Sequence, residues 1–222
     1  EGGEIEVDLS VIPSKTSVDR LEMRDRVATA ASLRPFFQPK AVAVVGASRE
    51  PSSIGYRILD VLVSNRFAGP IYPVNPKAAE VAGIKAYPSV RDLPEPVDLA
   101  VVAVPRAAVL NVVDDCAARG VRALVVITAG FAEVNAEGRA LQQKLLDKVR
   151  GYGMRMVGPN CLGLLNADPA VRLNASFSPI FPPPGRIALS SQSGALGLAI
   201  LAAARRFGIG LSTFVSVGNK AD

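Results

Sequence analysis

From residue 40 onward the chain repeats one alternation: a short run of branched apolar residues, a loop of small residues, then apolar positions recurring three or four apart. The apolar runs fall at residues 42–45, 71–74, 99–104, 123–127 and 155–157. They predict strands buried on both faces of a parallel sheet. Between most of them lie helical stripes, formed by Ile54, Ile58 and Leu62, by Val109, Val112, Val113 and Cys116, and by Leu141, Leu145 and Val149. Gly69-Pro70 and Gly120 supply helix stops. The link between the second and third runs departs from this rhythm, because Pro88, Pro94 and Pro96 leave room only for short turns. Alternating strands and helices impose right-handed crossovers and put ligand sites beyond the carboxyl ends of the strands.

The flanks are less regular. Residues 1–12 alternate briefly through Ile5 and Val7, which predicts a short exposed strand ended by Pro13. Residues 17–31 predict a linker helix, with Ser17 as cap, a Glu22 and Arg26 pair, and Pro35 closing it. Past Pro179, Pro182, Pro183 and Pro184, a strand over 186–189 enters Ser190-Ser191-Gln192-Ser193-Gly194, followed by a helix over 195–207 and a strand over 211–217. This second unit, starting near residue 164, cannot cover both faces of a parallel sheet with two strands and one helix. Either it docks on the first unit or its remainder has been trimmed away.

Composition narrows the chemistry. The 222 residues are 49% hydrophobic and 20% charged, and no apolar run approaches the roughly 18 residues that cross a membrane, so a soluble protein is expected. A net charge of +5 carried by scattered basic residues fits a pocket for an anionic small molecule better than a nucleic-acid surface. Cys116 and Cys161 lie far apart without metal spacing, which points to reduced thiols and a cytoplasmic setting. No histidine is present, so Ser-His-Asp and Cys-His arrangements, imidazole metal ligands and a phosphohistidine are excluded within these residues. The sequence begins at Glu1 rather than Met and stops at Asp222 just after an apolar run, and is expected to be a piece of a longer polypeptide.

The candidate chemistry starts at residues 41–55, where an apolar run breaks into a loop containing Gly46, Ser48, Ser52, Ser53 and Gly55 before a helix. Such a junction leaves backbone amides free for a phosphate. The Gly-x-Gly-x-x-Gly triplet of dinucleotide folds is absent, and the second strand ends in Asn75-Pro76-Lys77 rather than an acidic residue. A lysine there suits a phosphate on the ribose, as in NADP or coenzyme A. The alternative for Lys77 is a solvated loop lysine.

Eight segments, in order, carry a resemblance: VVGAS (44–48) with PSSIG (51–55), YPVNPK (72–77), VVAVP (101–105), ITAGFAE (127–133), GPNCLG (158–163), SSQSGALG (190–197) and VSVGNKAD (215–222). Together they resemble the CoA-binding region of NDP-forming acyl-CoA synthetases, which include ADP-forming acetate–CoA ligase and are related to the succinyl-CoA synthetase alpha subunit. The resemblance covers residues 36–222. It implies an α/β fold: a Rossmann-like, doubly wound parallel sheet over residues 37–163, then the start of a flavodoxin-like domain over 164–222, with 1–36 as upstream tail and linker.

The resemblance further implies coenzyme A or acetyl-CoA as the bound cofactor. Gly46, Ala47, Ser48, Arg49, Ser52, Ser53 and Gly55 would cradle its phosphates, and Asn75 and Lys77 would lie at the adenosine end. Val104 and Pro105 would line the nucleotide's path, with Thr128, Gly130, Asn160 and Cys161 along the pantetheine arm. Cys161 reads as a small buried thiol rather than a covalent participant. Ser191, Ser193 and Gly194 would hold a phosphate at a helix amino end. The phosphate-carrying histidine of those ligases would lie beyond Asp222.

EGGEIEVDL and the linker segment resemble the junction in fusions with a GNAT-type N-acetyltransferase. The first reading is therefore a CoA or acetyl-CoA sensing, regulatory module of a multidomain protein lysine acetyltransferase. Its partners would be acyl-CoA, the remaining domains of the parent and a lysine-bearing protein substrate. The alternative is the alpha-like CoA-binding part of an ADP-forming acyl-CoA synthetase, and an NADP oxidoreductase domain is the outsider. In neither of the first two does this piece turn over alone.

Overall fold

The computed structural model describes Gly3 and residues 13–222, so the strand expected in residues 1–12 lies, Gly3 apart, outside the described residues. Two compact units divide the chain after Ser32. The described part of the first is the exposed body of helix α1 (Lys15–Phe37), where Glu22 and Arg26 form the expected pair at 3.7 Å. Pro35 does not close this helix but lies inside it. A proline inside a helix forfeits one backbone hydrogen bond; this one lies in the last turn, and the next residue, Phe36, is buried with only 2% of its surface exposed.

The second unit contains a five-stranded, all-parallel sheet in the order β2 (Ile71–Val74), β1 (Val42–Val45), β5 (Leu99–Val102), β6 (Ala123–Val126), β7 (Arg155–Val157). The proline-rich link before β5 also holds a two-stranded hairpin, β3 (Glu80–Val81) with β4 (Ile84–Lys85), where only turns were expected. In register, Val45 lies beside both Val74 and Val102, and Val102 beside Val126. Strands β1, β2, β5 and β6 therefore end flush, and β7 stops one residue short of them. The chain runs outward from β1 to β2 and returns past β1 to β5, so the order reverses between β1 and β5, where a crevice opens.

The period-two alternation of the strands sorts the core. Ala43, Val45, Val102, Leu124 and Val126 pack with Val109, Val113 and Cys116 of α3 (Val109–Ala118) and Leu145 and Val149 of α4 (Ala136–Gly151). Val42, Val44, Val101 and Val125 face the other way, onto Ile58, Leu59 and Leu62 of α2 (Ile54–Ser64). Ile54, expected in that stripe, is 44% exposed.

The second sheet is mixed, in the order β10 (Pro184–Ser191), β11 (Leu211–Ser216), β8 (Gly163–Asn166), β9 (Leu173–Ser176). β10 and β11 are parallel, whereas β8 runs antiparallel to both β11 and β9. Helix α5 (Gly194–Arg206) packs on this sheet through Leu201 and Ala204 against Leu165, Leu211 and Phe214. A Cβ on Gly197 would come within 2.5 Å of the Phe214 ring. The opposite face of β8 and β9 offers Leu164, Leu173 and Ala175 to the α2 side of the first sheet, in one continuous core. Residues from 164 onward thus dock on the first sheet through β8 and β9.

Candidate functional site

Beyond β1 the chain turns sharply at Gly46, whose φ of +91° suits glycine and whose Cβ would stand 2.4 Å from the Ala103 carbonyl oxygen. Its amide donates to the Val74 carbonyl at 3.0 Å, stitching the ends of β1 and β2. Ala47 is fully buried. The loop serines work on the loop itself. Ser48 Oγ accepts from the Glu50 amide at 3.1 Å, and Ser52 Oγ donates to Glu50 Oε1 at 3.1 Å. Ser53 donates to the Glu50 carbonyl at 2.7 Å and caps α2 by accepting from the Tyr56 amide at 3.2 Å. The first-turn amides of Ile54 and Gly55 have no acceptor one turn earlier and remain as donors for a ligand. Arg49 is exposed.

At the end of β2, Asn75 is spent internally. Its Nδ2 donates to the Ala47 carbonyl at 2.6 Å, and its Oδ1 accepts from the Lys77 amide at 2.7 Å. Asn75 thus positions both the loop and the exposed Lys77. A cavity of about 350 Å³ opens here, lined by Gly46, Asn75, Lys77, Val104 and Pro105 among others.

A larger cavity of about 580 Å³ lies over the ends of β5, β6 and β7, reaching from Ile54, Val104 and Thr128 to Asn160, Ser193 and Gly194. Ala103 and Val104 line both cavities. Thr128 Oγ1 donates to the Val104 carbonyl at 2.7 Å, and the Thr128 carbonyl accepts from the Asn160 amide at 3.0 Å, so three strand ends are cross-linked. The residues lining the larger cavity carry no formal charge, and the amino end of α5, with Ser193 as its cap, supplies a positive dipole end. Cys161 also lines it, with its thiol 3.4 Å from the Val126 carbonyl, and burial pushes that thiol up to about 12.

The expected residues therefore divide. Gly46, Asn75, Lys77, Val104 and Pro105 meet at the smaller cavity, and Val104, Thr128, Asn160, Ser193 and Gly194 at the larger. Ala47, Ser48, Arg49, Ser52, Ser53, Gly55, Gly130 and Ser191 line neither. Gly130 stands behind the wall, its carbonyl accepting from Arg106 Nη1 at 2.8 Å, and Ser191 Oγ donates to the Ser193 carbonyl at 2.9 Å. Sequence reasoning missed Ile54, Gln192 and Phe177, which line the larger cavity. The exposure of Ile54 follows from its place in the first turn of α2, directly after the loop.

A parallel sheet with one cavity at its switch point and a second beside it has the architecture of a nucleotide-binding α/β protein. The chain belongs to the CoA binding domain family, whose model matches residues 40–167, and a succinyl-CoA ligase like flavodoxin domain matches residues 184–222. It is 46% identical over 195 residues to the alpha subunit of ADP-forming acetate–CoA ligase I of Pyrococcus furiosus, covering 86% of this chain and 42% of that protein. ADP-forming 4-hydroxybutyrate–CoA ligase of Nitrosopumilus maritimus is 42% identical over 187 residues, covering 84% of this chain and 27% of that protein. Among solved structures, a dinucleotide-forming acetyl-coenzyme A synthetase 1 of Ca. Korarchaeum cryptofilum, in complex with phosphate and ADP, superposes with a TM-score of 0.81 at 50% identity, covering 86% of this chain and 40% of that one. The chain spans less than half the length of each. These relatives favour the ligase reading, and the expected acetyltransferase fusion finds no support among them. Among the described residues, no helix is long and apolar enough to cross a membrane.

Proposed function

We propose that this chain is the alpha-like, CoA-binding part of an ADP-forming acid–CoA ligase. The observation that carries the reading is the pair of cavities sharing Ala103 and Val104, one beside Lys77 and the other beside the amino end of α5. A ligand with an anionic nucleotide head and a long neutral tail fits that sequence of environments.

In this reading Lys77 meets the ribose 3′-phosphate, and the Ile54 and Gly55 amides meet the pyrophosphate at the start of α2. The pantetheine arm passes Val104 and brings the CoA thiol into the uncharged cavity. There the amino end of α5 favours the oxygens of a phosphate or acyl phosphate. Cys161 stays protonated beside it, so the protein's own thiol does not compete as a nucleophile. Because these 222 residues contain no histidine, any phosphohistidine in the complete ligase is contributed from outside them.

Titration calorimetry tests the reading. CoA is expected to bind in the micromolar range or more weakly, with little or no heat from NADP. Clear NADP binding without CoA binding would reverse the assignment. A purified 222-residue chain that formed acyl-CoA alone would contradict the division of labour.

A further inference from the structure

The wall of the larger cavity is held by a turn that does not line it. Gly218 follows β11 with φ +55°, and a Cβ there would stand 2.4 Å from the carbonyl oxygens of both Pro159 and Asn160, so the turn lies directly on the end of β7. Its neighbour Asn219 donates from Nδ2 to Glu133 Oε2 at 2.5 Å and to Gln142 Oε1 at 2.8 Å. Asn219 Oδ1 accepts from Asn160 Nδ2 at 3.2 Å. Glu133 passes the restraint on, because its Oε1 accepts from the amides of Gly130 and Phe131.

We infer that Asn219 and Glu133 are a positioning pair that fixes the loop after β6 against Asn160 and so sets the width of the tail cavity. This rests on the CoA reading above, since it assigns that cavity to the pantetheine arm. One amide thus ties together the strand ends on either side of the cavity mouth, Thr128 to Gly130 on one side and Asn160 on the other. None of the smaller cavity's lining residues hydrogen-bonds to this pair. The pair therefore governs ligands with a tail and spares those that are only a nucleotide.

The test swaps donor and acceptor. Glu133→Gln turns an amide N–H toward the Asn219 N–H, and Asn219→Asp sets two carboxylates face to face. The double variant restores one donor and one acceptor between the pair, the Gln142 amide can rotate to donate to the new carboxylate, and the carbonyl oxygen of the introduced glutamine can still accept from the Gly130 amide. Calorimetry on the full 222-residue chain would compare CoA with adenosine 3′,5′-bisphosphate. Each single change is expected to weaken CoA by about three- to tenfold, as loss of a side-chain hydrogen bond does, with bisphosphate affinity unchanged. The double variant is expected to recover most of the CoA affinity, the signature of direct coupling.

Singles that keep wild-type CoA affinity, or that lose both ligands by the same factor, would overturn the inference. Should a single variant melt below the assay temperature, Gln142→Ala replaces it, since it removes one acceptor of Asn219, and must give the same split. If the unaltered chain binds bisphosphate but not CoA, the CoA reading itself falls.

Discussion

A Cβ on Gly55 would stand 2.0 Å from the carbonyl oxygen of Gly46, so the first turn of α2 and the end of β1 meet with no room for a methyl group. Two glycines on either side of the loop thereby accomplish the close strand-to-helix approach that dinucleotide folds obtain from a compact triplet. Gly55→Ala must push the loop off the strand. It is expected to cost about 3 kcal/mol in urea unfolding and to abolish CoA binding. Gly151→Ala is the control, since nothing lies within 4 Å of its Cβ position in α4, and it should be neutral or stabilising by up to about 1 kcal/mol.

Lys77 is exposed at the rim of the smaller cavity, with its backbone fixed by Asn75 and its ammonium free to meet a ligand. Lys77→Ala is expected to weaken CoA by about 1 to 3 kcal/mol while leaving dephospho-CoA nearly unchanged. Calorimetry with both ligands measures the difference. Equal losses would remove Lys77 from the 3′-phosphate.

Glu133 makes the outer loop sensitive to acid. Partial desolvation is the largest single influence on its carboxyl and opposes ionisation, but the Asn219 amide and the Gly130 and Phe131 amides together outweigh it and hold the group below its usual 4.5. A depressed folded value stabilises the protein fully above the unfolded value and loses that contribution as pH falls through the folded one. The stability gap between wild type and Glu133→Gln should therefore be constant near neutrality and shrink below about pH 4.5. Urea midpoints measured across that range give the answer, and a gap independent of pH would deny Glu133 this role.

Burial pushes both Cys116 and Cys161 up to about 12, which leaves almost no thiolate near neutral pH. Both are expected to resist iodoacetamide in the folded chain and to react readily in concentrated urea. Mass spectrometry reads the modification, and rapid native labelling of Cys161 would mean that the larger cavity opens its floor to solvent.

Most of the first sheet was legible because its strands are buried on both faces and spelled as branched apolar runs. The runs at 42–45, 71–74 and 155–157 coincide with β1, β2 and β7, and those at 99–104 and 123–127 overrun β5 and β6 by the residues that build the crevice. β8 and β9 are not legible in this way. They are four residues each, Gly163–Asn166 and Leu173–Ser176, and mix leucines with asparagine and serine, so neither reads as a run. Their buried polar groups are satisfied only in three dimensions, as when Asn166 Nδ2 donates to the Phe37 carbonyl at 2.7 Å. The site was legible in part for a similar reason. Loop glycines and Lys77 advertise themselves locally, whereas the pairing of Glu133 with Asn219 joins residues that only the docking of the second sheet brings together.

The neighbours Leu164 and Leu165 point into opposite interiors, one shared with α2 and the other with α5. Strand β8 is consequently a common partition rather than a hinge. Prying the layers apart would expose two oily seams at once, so the two sheets are expected to unfold together rather than one after the other.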